Sequence, residues 1–284
     1  MENREHSTAT EKLAADALTK SWRKIRGPQV FDTRHTGYVM RPEHNLVAGV
    51  DLSPFIDALT RGQGGELRPR GGAPPKFCAT YSSAALVVNT FGPFWMRPSD
   101  LTLFDHNNFT RLCIEKECDT GFIGRPHLDV FVKNAGIVVG IESKCLEPLR
   151  RHCIPRRLSP SYDDLIRRRP EVVDLAWREI HEKLKSDPGQ FDPFDANQLM
   201  KHCFGLGCDF PQRQTELLLR AINLSRFQGF QEIDRLRYPL LKLIKARIGV
   251  RELWRFNRRE SSPSSLGNVG CNLDLLHKWI HIWE

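Results

Sequence analysis

The sequence predicts an α/β fold, a sheet covered by helices, and three observations carry that reading. Residues Pro126–Lys144, PHLDVFVKNAGIVVGIESK, form two alternating apolar runs joined by turn residues. Segments with helical apolar spacing lie on both sides of this hairpin, at Glu11–Ile25, Ser83–Phe91 and Glu171–Lys185. The hydrophobic content of 40% is sufficient for a real core, and no apolar run is long enough for a membrane span.

The elements follow in chain order. Residues 1–10 are polar and predict disorder. Glu11–Ile25 then places Leu13, Leu18, Trp22 and Ile25 toward one side of a helix that Gly27 and Pro28 end. Residues 61–76, RGQGGELRPRGGAPPK, predict a flexible basic connector without core-forming capacity, read either as a solvated linker or as a phosphate-contacting loop. Ser82 or Ser83 caps a helix over Ser83–Phe91, which Gly92-Pro93 stops. Leu112–Glu117 alternates as a first strand, and Thr120-Gly121 leads into the hairpin. In the hairpin Asn134 and Gly136 suit a turn because both tolerate positive φ.

Beyond the hairpin, Pro170 opens a helix over Glu171–Lys185, with Val172, Val173, Ala176, Ile180 and Leu184 on its apolar side. Pro193–Phe204 reads as a further helix closed by Gly205. Glu216–Leu224 reads equally as strand or helix. Phe230–Ile244 is amphipathic, but Pro239 predicts a kink or two shorter helices. Residues 256–284 join a polar Ser/Pro/Gly stretch to an aromatic, histidine-containing end and carry no recognised pattern.

The chain of 284 residues carries a formal charge of +8, a footprint compatible with nucleic acid. Its N-terminus lacks the apolar stretch of a secretory signal, so the expected location is the cytoplasm. The eight cysteines include no Cys-x-x-Cys pair and read as reduced thiols. His152-Cys153 and His202-Cys203, with Cys145 and Cys208, leave a zinc-stabilised interaction module as a minor alternative, although their spacings match no standard zinc module.

The chemistry concentrates in the hairpin. Strand side chains alternate between faces, so Glu142 and Lys144 share one face, and folding the hairpin back brings Asp129 near them. Two acids and a lysine on otherwise apolar strands are costly unless they bind something, and the set suits a divalent cation with a lysine beside it. Glu115 and Glu117 share a face of the first strand; either one supplies a further carboxylate or both are exposed edge acids. Arg150, Arg151, Arg156 and Arg157 follow the second hairpin strand and read as phosphate contacts or as a solvated loop. Gln198, on the helix after the hairpin, either approaches the site or lies at the surface.

This pattern resembles the PD-(D/E)XK, or restriction-endonuclease-like, nuclease superfamily. Its signature is an acid on one strand followed by an acid, any residue and a lysine on the next, here Asp129 and Glu142-Ser143-Lys144. Leu128 stands where the family name has proline. The Ser82–Pro93 segment resembles the leading helix of a bacterial restriction-endonuclease-like group, Pro126–Asp129 its Pro-His-Leu-Asp segment, and Gln198–His202 its post-core helix. The resemblance runs from Tyr81 to about Gly207.

The resemblance implies a restriction-endonuclease-like core with a central mixed β-sheet flanked by helices. The expected division of the chain is a helical and flexible extension (1–76), a nuclease domain (77–255) and a tail (256–284). The resemblance further implies a cytoplasmic Mg²⁺-dependent DNA endonuclease, with Mn²⁺ as a substitute, acting in restriction or DNA repair, with a homodimer left open. Asp129, Glu142 and the Ser143 main-chain carbonyl would hold the cation, and Lys144 would orient the water or steady the phosphate. Glu115, Glu117 and Gln198 are additional candidates. The alternative is a noncatalytic DNA-binding protein that retains the fold.

The arginine pairs generate a first prediction. With Ca²⁺ replacing Mg²⁺, log affinity for duplex DNA should fall with log salt at a slope of about 0.9 per phosphate contacted. A flat response would remove the phosphate-contact role of Arg150, Arg151, Arg156 and Arg157.

Overall fold

The computed structural model describes residues 9–221, apart from 63–64, 70, 104–105, 122–124, 148–157, 173–174, 189–195 and 211–213. The arginines at 150, 151, 156 and 157, the amphipathic segment 230–244 and the tail 256–284 lie outside the described residues.

Three antiparallel strands form first: β1 (Arg111–Glu117), β2 (His127–Lys133) and β3 (Ile137–Lys144). A fourth, β4 (Gln214–Ala221), lies parallel to β3 and makes the sheet mixed, in the order β1-β2-β3-β4. Its strand state settles the helix-or-strand ambiguity of that segment. The β2–β3 turn differs from expectation in mechanism. Neither Asn134 nor Gly136 takes a positive φ. The Asn134 side chain instead accepts the amides of Gly136 and Ile137, both at 2.9 Å, so a side chain closes the turn.

Helices α1 (Ala9–Arg26), α2 (Ile56–Arg61) and α3 (Ser83–Phe91) precede the sheet. In α1 the buried line is Ala14, Leu18 and Trp22, at four-residue spacing. Leu13 and Ile25, expected on the apolar side, fall off that line and are exposed. Ser82 caps α3 by accepting the Ala85 amide. Ala85, Val88 and Phe91 of α3 pack with Val130, Val132, Val139 and Ile141 on one face of the sheet.

The segment before Phe77 is built into that same core, through Leu46, Leu52, Phe55 and Leu59. Buried amides tie it down: Asn45 donates to the carbonyls of Phe77 and Ala79, and Asn89 of α3 donates to Asn45 and accepts from Val47. The expected connector around 61–76 is likewise ordered where described. Leu67 packs against the core, its amide donates to Leu59, and the Phe77 amide donates to Glu66. A stretch rich in Gly and Pro is held here by main-chain hydrogen bonds together with the apolar Leu67.

Helices α4 (Ser161–Arg168) and α5 (Leu175–Ser186) follow the sheet's first three strands, with a 3₁₀ turn at Pro170–Val172 where a longer helix was expected. Helix α6 (Ala196–Asp209) covers the other face, and Leu206 packs with Leu128, Phe131 and Val138. This helix runs through Gly205, the expected stop. A Cβ at Gly205 would lie 2.7 Å from Cys118 Cβ and 2.8 Å from Pro126 Cγ, so that glycine serves close packing rather than termination.

Gly140 on β3 does the same from the sheet side. A Cβ there would meet Leu206 Cδ1 at 2.7 Å and Leu128 Cδ2 at 3.0 Å. The absent side chain sets how closely α6 lies on β3. Gly140→Ala should therefore destabilise the protein by about 1–3 kcal/mol through overpacking. Urea unfolding checks this; an unchanged midpoint would show that α6 can shift without cost.

Candidate metal centre

β3 lies between β2 and β4, α3 packs on one face of the sheet and α6 on the other, and the β3 side chains are buried along nearly the whole strand. On such a strand a charged residue needs a specific partner. Val130–Ile141 is the last β2–β3 pair, and continuing that register sets Asp129 opposite Glu142. Past the pair the ladder hydrogen bonds stop, and the Asp129 carboxylate takes their place by accepting the Ser143 amide at 2.6 Å. Residues opposed across an antiparallel ladder share a face, and Lys144 shares it by its two-residue spacing from Glu142. The expected grouping of Asp129, Glu142 and Lys144 is therefore present, at the carboxyl end of the parallel pair β3–β4.

Helix α6 completes the group by a match of spacing. Four residues of helix advance about 6 Å, and two residues of strand advance about 6.6 Å. Gln198, His202 and Leu206, four apart, thus stand over Lys144, Glu142 and Gly140, two apart. Lys144 Nζ donates to Gln198 Oε1 at 2.8 Å and to Glu142 Oε1 at 2.5 Å. Gln198 is consequently a site residue rather than a surface one. His202 Nδ1 lies 3.3 Å from Glu142 Oε2. That distance is within ion-pair range, yet the two atoms form no hydrogen bond, and both are buried without any hydrogen-bond partner.

The protonation states follow from burial. Burial pushes the Glu142 and Asp129 carboxyls well above the ordinary carboxylate range, and for Glu142 the neighbouring Asp129 adds to the effect. Burial works against the Lys144 charge, but Glu142, Asp129 and Glu147 outweigh it and hold the ammonium above the ordinary lysine range. His202 is driven down to about 3 by burial, with Lys144 and Lys201 adding to it, so its ring is neutral near pH 7. A neutral imidazole beside Glu142 is not an ion pair, whatever the distance.

The two acids of β1 separate. Glu115 occupies the register position opposite Asp129 and interrupts the ladder with φ 54, a left-handed conformation rare outside glycine. Burial pushes its carboxyl up to about 7, with Asp129 and Glu66 contributing. Glu117 instead points outward, 2.6 Å from Arg125 and 3.7 Å from His127, and takes no part in the site. The two acids approach the same His127 ring, Glu115 at 4.0 Å and Glu117 at 3.7 Å, and differ in burial, 13% against 44% exposed.

Two contributors escaped sequence reasoning. Glu66 sits in the connector assigned no structural role, yet its charge acts on both Asp129 and Glu115. The sequence offers His202 as a zinc candidate with Cys203 and as the end of the Gln198–His202 segment, with no role beside Glu142. The helical spacing Gln198–His202, set against the strand spacing Lys144–Glu142, was the signal that could have found it. Cys145, Cys203 and Cys208 are free thiols. Among the described residues, the one group of three His, Cys, Asp or Glu side chains whose ligand atoms converge within 4.8 Å is Asp163, His181 and Glu182, on α4 and α5. Lys185 lies 3.0 Å from Asp163 and 3.9 Å from Glu182, so those acids already have a cation. Of the described arginines near the segment, Arg167 pairs with Asp164 and Arg169 with Glu171.

Among the described residues, no helix is long and apolar enough to cross a membrane. Compared with protein-family models, curated proteins and solved structures, the chain matches none.

The raised carboxyls predict a pH effect. A group whose folded pKa lies above its unfolded value contributes stability that is complete below the unfolded pKa and is lost as pH rises through the folded one. For Glu115 that window runs from the ordinary 4.5 to about 7. In EDTA, the melting temperature should fall between pH 5 and pH 8, and Glu115→Gln should flatten part of that fall. Parallel wild-type and variant curves would show that Glu115 titrates as an ordinary exposed acid.

Proposed function

We propose that this chain is a divalent-cation-dependent endonuclease that hydrolyses phosphodiester bonds in DNA, built on a restriction-endonuclease-like core. One observation carries the reading: Asp129, Glu142 and Lys144 meet on one face at the end of an interior strand, where buried charge has no reason to persist without a ligand. The element order supports it. A helix, three antiparallel strands, covering helices and a strand parallel to the third reproduce the mixed, helix-flanked sheet that the motif resemblance implied.

The residues fit a divalent cation. Glu142 Oε2 is a buried carboxylate oxygen without a hydrogen-bond partner, and such an atom is stabilised by a cation. Asp129, Glu142 and the Ser143 carbonyl would hold Mg²⁺, or Mn²⁺ in its place. The bound ion supplies charge neutralisation at the phosphate and a more acidic water. Asp129, by accepting the Ser143 amide, fixes the main chain that carries Glu142 and Lys144. Gln198 and Glu142 hold the Lys144 ammonium in one place. Lys144 remains charged, so it orients the attacking water and stabilises the developing negative charge rather than removing a proton.

Asp129→Asn and Glu142→Gln preserve shape and remove a charge; Lys144→Ala removes the cation. Each should lower Mg²⁺-dependent plasmid nicking by about 100-fold or more. Combining them should cost little extra, since groups acting as a unit are not additive. DNA binding in Ca²⁺ should survive. Undiminished nicking by folded Asp129→Asn and Lys144→Ala proteins would defeat the assignment. Wild-type protein that binds DNA but never nicks it would favour the noncatalytic alternative.

A further inference from the structure

The Glu142–His202 contact has features that an oxygen-only Mg²⁺ site does not explain. Both side chains are 2% exposed. Glu142 Oε1 is occupied by Lys144, which leaves Oε2 as its available oxygen, directed at His202. Glu142 Oε2 and His202 Nδ1 are buried, face each other at 3.3 Å and make no hydrogen bond, an arrangement that an ion between them would satisfy. Two metal–ligand bonds of about 2.2 Å meeting at a right angle hold their donor atoms about 3.1 Å apart, close to the separation observed here.

We infer that His202 is a nitrogen ligand, that its Nδ1 and Glu142 Oε2 bind one divalent ion, and that the site is a mixed nitrogen–oxygen centre selective for a transition-row dication such as Mn²⁺ over Mg²⁺. The inference rests on the nuclease reading for the role of Glu142 as a cation ligand. Imidazole is a good ligand for transition-row dications, whereas Mg²⁺ demands oxygen and keeps its waters. Asp129, Glu142 and His202 do not converge within 4.8 Å as Asp163, His181 and Glu182 do. With Asp129 as a further oxygen ligand, the remaining positions on the ion would be left for water and phosphate oxygens, as a hydrolytic centre requires.

The architecture makes this ligand a property of how α6 sits. His202 lies one helical turn from Gln198, which holds Lys144, and one turn from Leu206, which rests on Gly140. The same close approach that seats the helix brings the imidazole to the carboxylate.

The test uses Mn²⁺ as the probe on the full chain. Pulsed electron paramagnetic resonance of the Mn²⁺-loaded protein should show nitrogen coupling that changes when histidine is ¹⁵N-labelled and disappears in His202→Gln. By titration, His202→Gln should weaken Mn²⁺ binding by about 10-fold or more and shift Mg²⁺ binding by less than about 3-fold. Mn²⁺ bound without nitrogen coupling, coupling that persists in His202→Gln, or an equal loss for both ions would overturn the inference. Should His202→Gln fail to fold, His127→Gln decides, since His127 is a nearby competing imidazole. Coupling retained in that variant supports His202, and coupling lost assigns the ligand to His127 and overturns the inference. Nicking assays keep the two readings apart. Nitrogen coupling without cleavage leaves the ligand standing and removes the nuclease; cleavage without nitrogen coupling does the reverse.

Discussion

Glu142 is a carboxylate on an interior strand, and its burial constrains everything around it. An isolated ion in such a place is several kcal/mol less stable than in water, and a pair recovers that only with good geometry and satisfied lone pairs. Glu142 has one strong partner, the Lys144 ammonium at 2.5 Å, and one unsatisfied oxygen. Neither residue can be moved to the surface without exposing the apolar residues that alternate with them on β3. The strand therefore holds this charge as a fixed feature, and its neighbours are arranged to meet it.

Their arrangement is a problem of two repeats brought into step. Asp129 caps the open end of the β2–β3 ladder and so aligns the backbone of Ser143. From the opposite side, α6 advances by one turn while β3 advances by two residues, and three contacts fall into line: Gln198 over Lys144, His202 over Glu142, Leu206 over Gly140. Gly140 and Gly205 carry no side chains at close points of that approach, Gly140 against Leu206 and Gly205 against Cys118 and Pro126. Packing at Leu206 and chemistry at His202 are thus parts of one constraint, even though one is apolar and the other polar.

Around this centre the carboxylates are crowded. Glu66 acts on both Glu115 and Asp129, Asp129 acts on Glu115, and Glu115 holds its place with a left-handed backbone. Burial, with like charges beside it, raises the Glu115 and Asp129 carboxyls, so a divalent ion would displace protons from them. The metal chemistry proposed for the site and the pH dependence of its stability then have a common origin in the shared burial of these groups.

The sequence by itself determined the local pieces. Alternation revealed β2 and β3, turn residues located the hairpin, capping and stop residues bounded α3 at Ser83–Phe91, and the spacing of Glu142 and Lys144 put them on one face. These are nearest-neighbour properties, set by backbone periodicity and readable along the chain. What lies far apart in sequence was decided only by the tertiary structure. Glu66 was concealed in a Gly- and Pro-rich stretch because its role depends on β1 lying beside it. Glu115 is buried where Glu117 is not because only Glu115 lies against the chain at Gly62. Gly205 looked like a helix stop because its real function, admitting Cys118 and Pro126, exists only once α6 has docked. His202 faces Glu142 from sixty residues away, by virtue of a close approach that no local pattern encodes. Periodicity is local, whereas the burial that gives these charges their chemistry depends on the whole packed sheet.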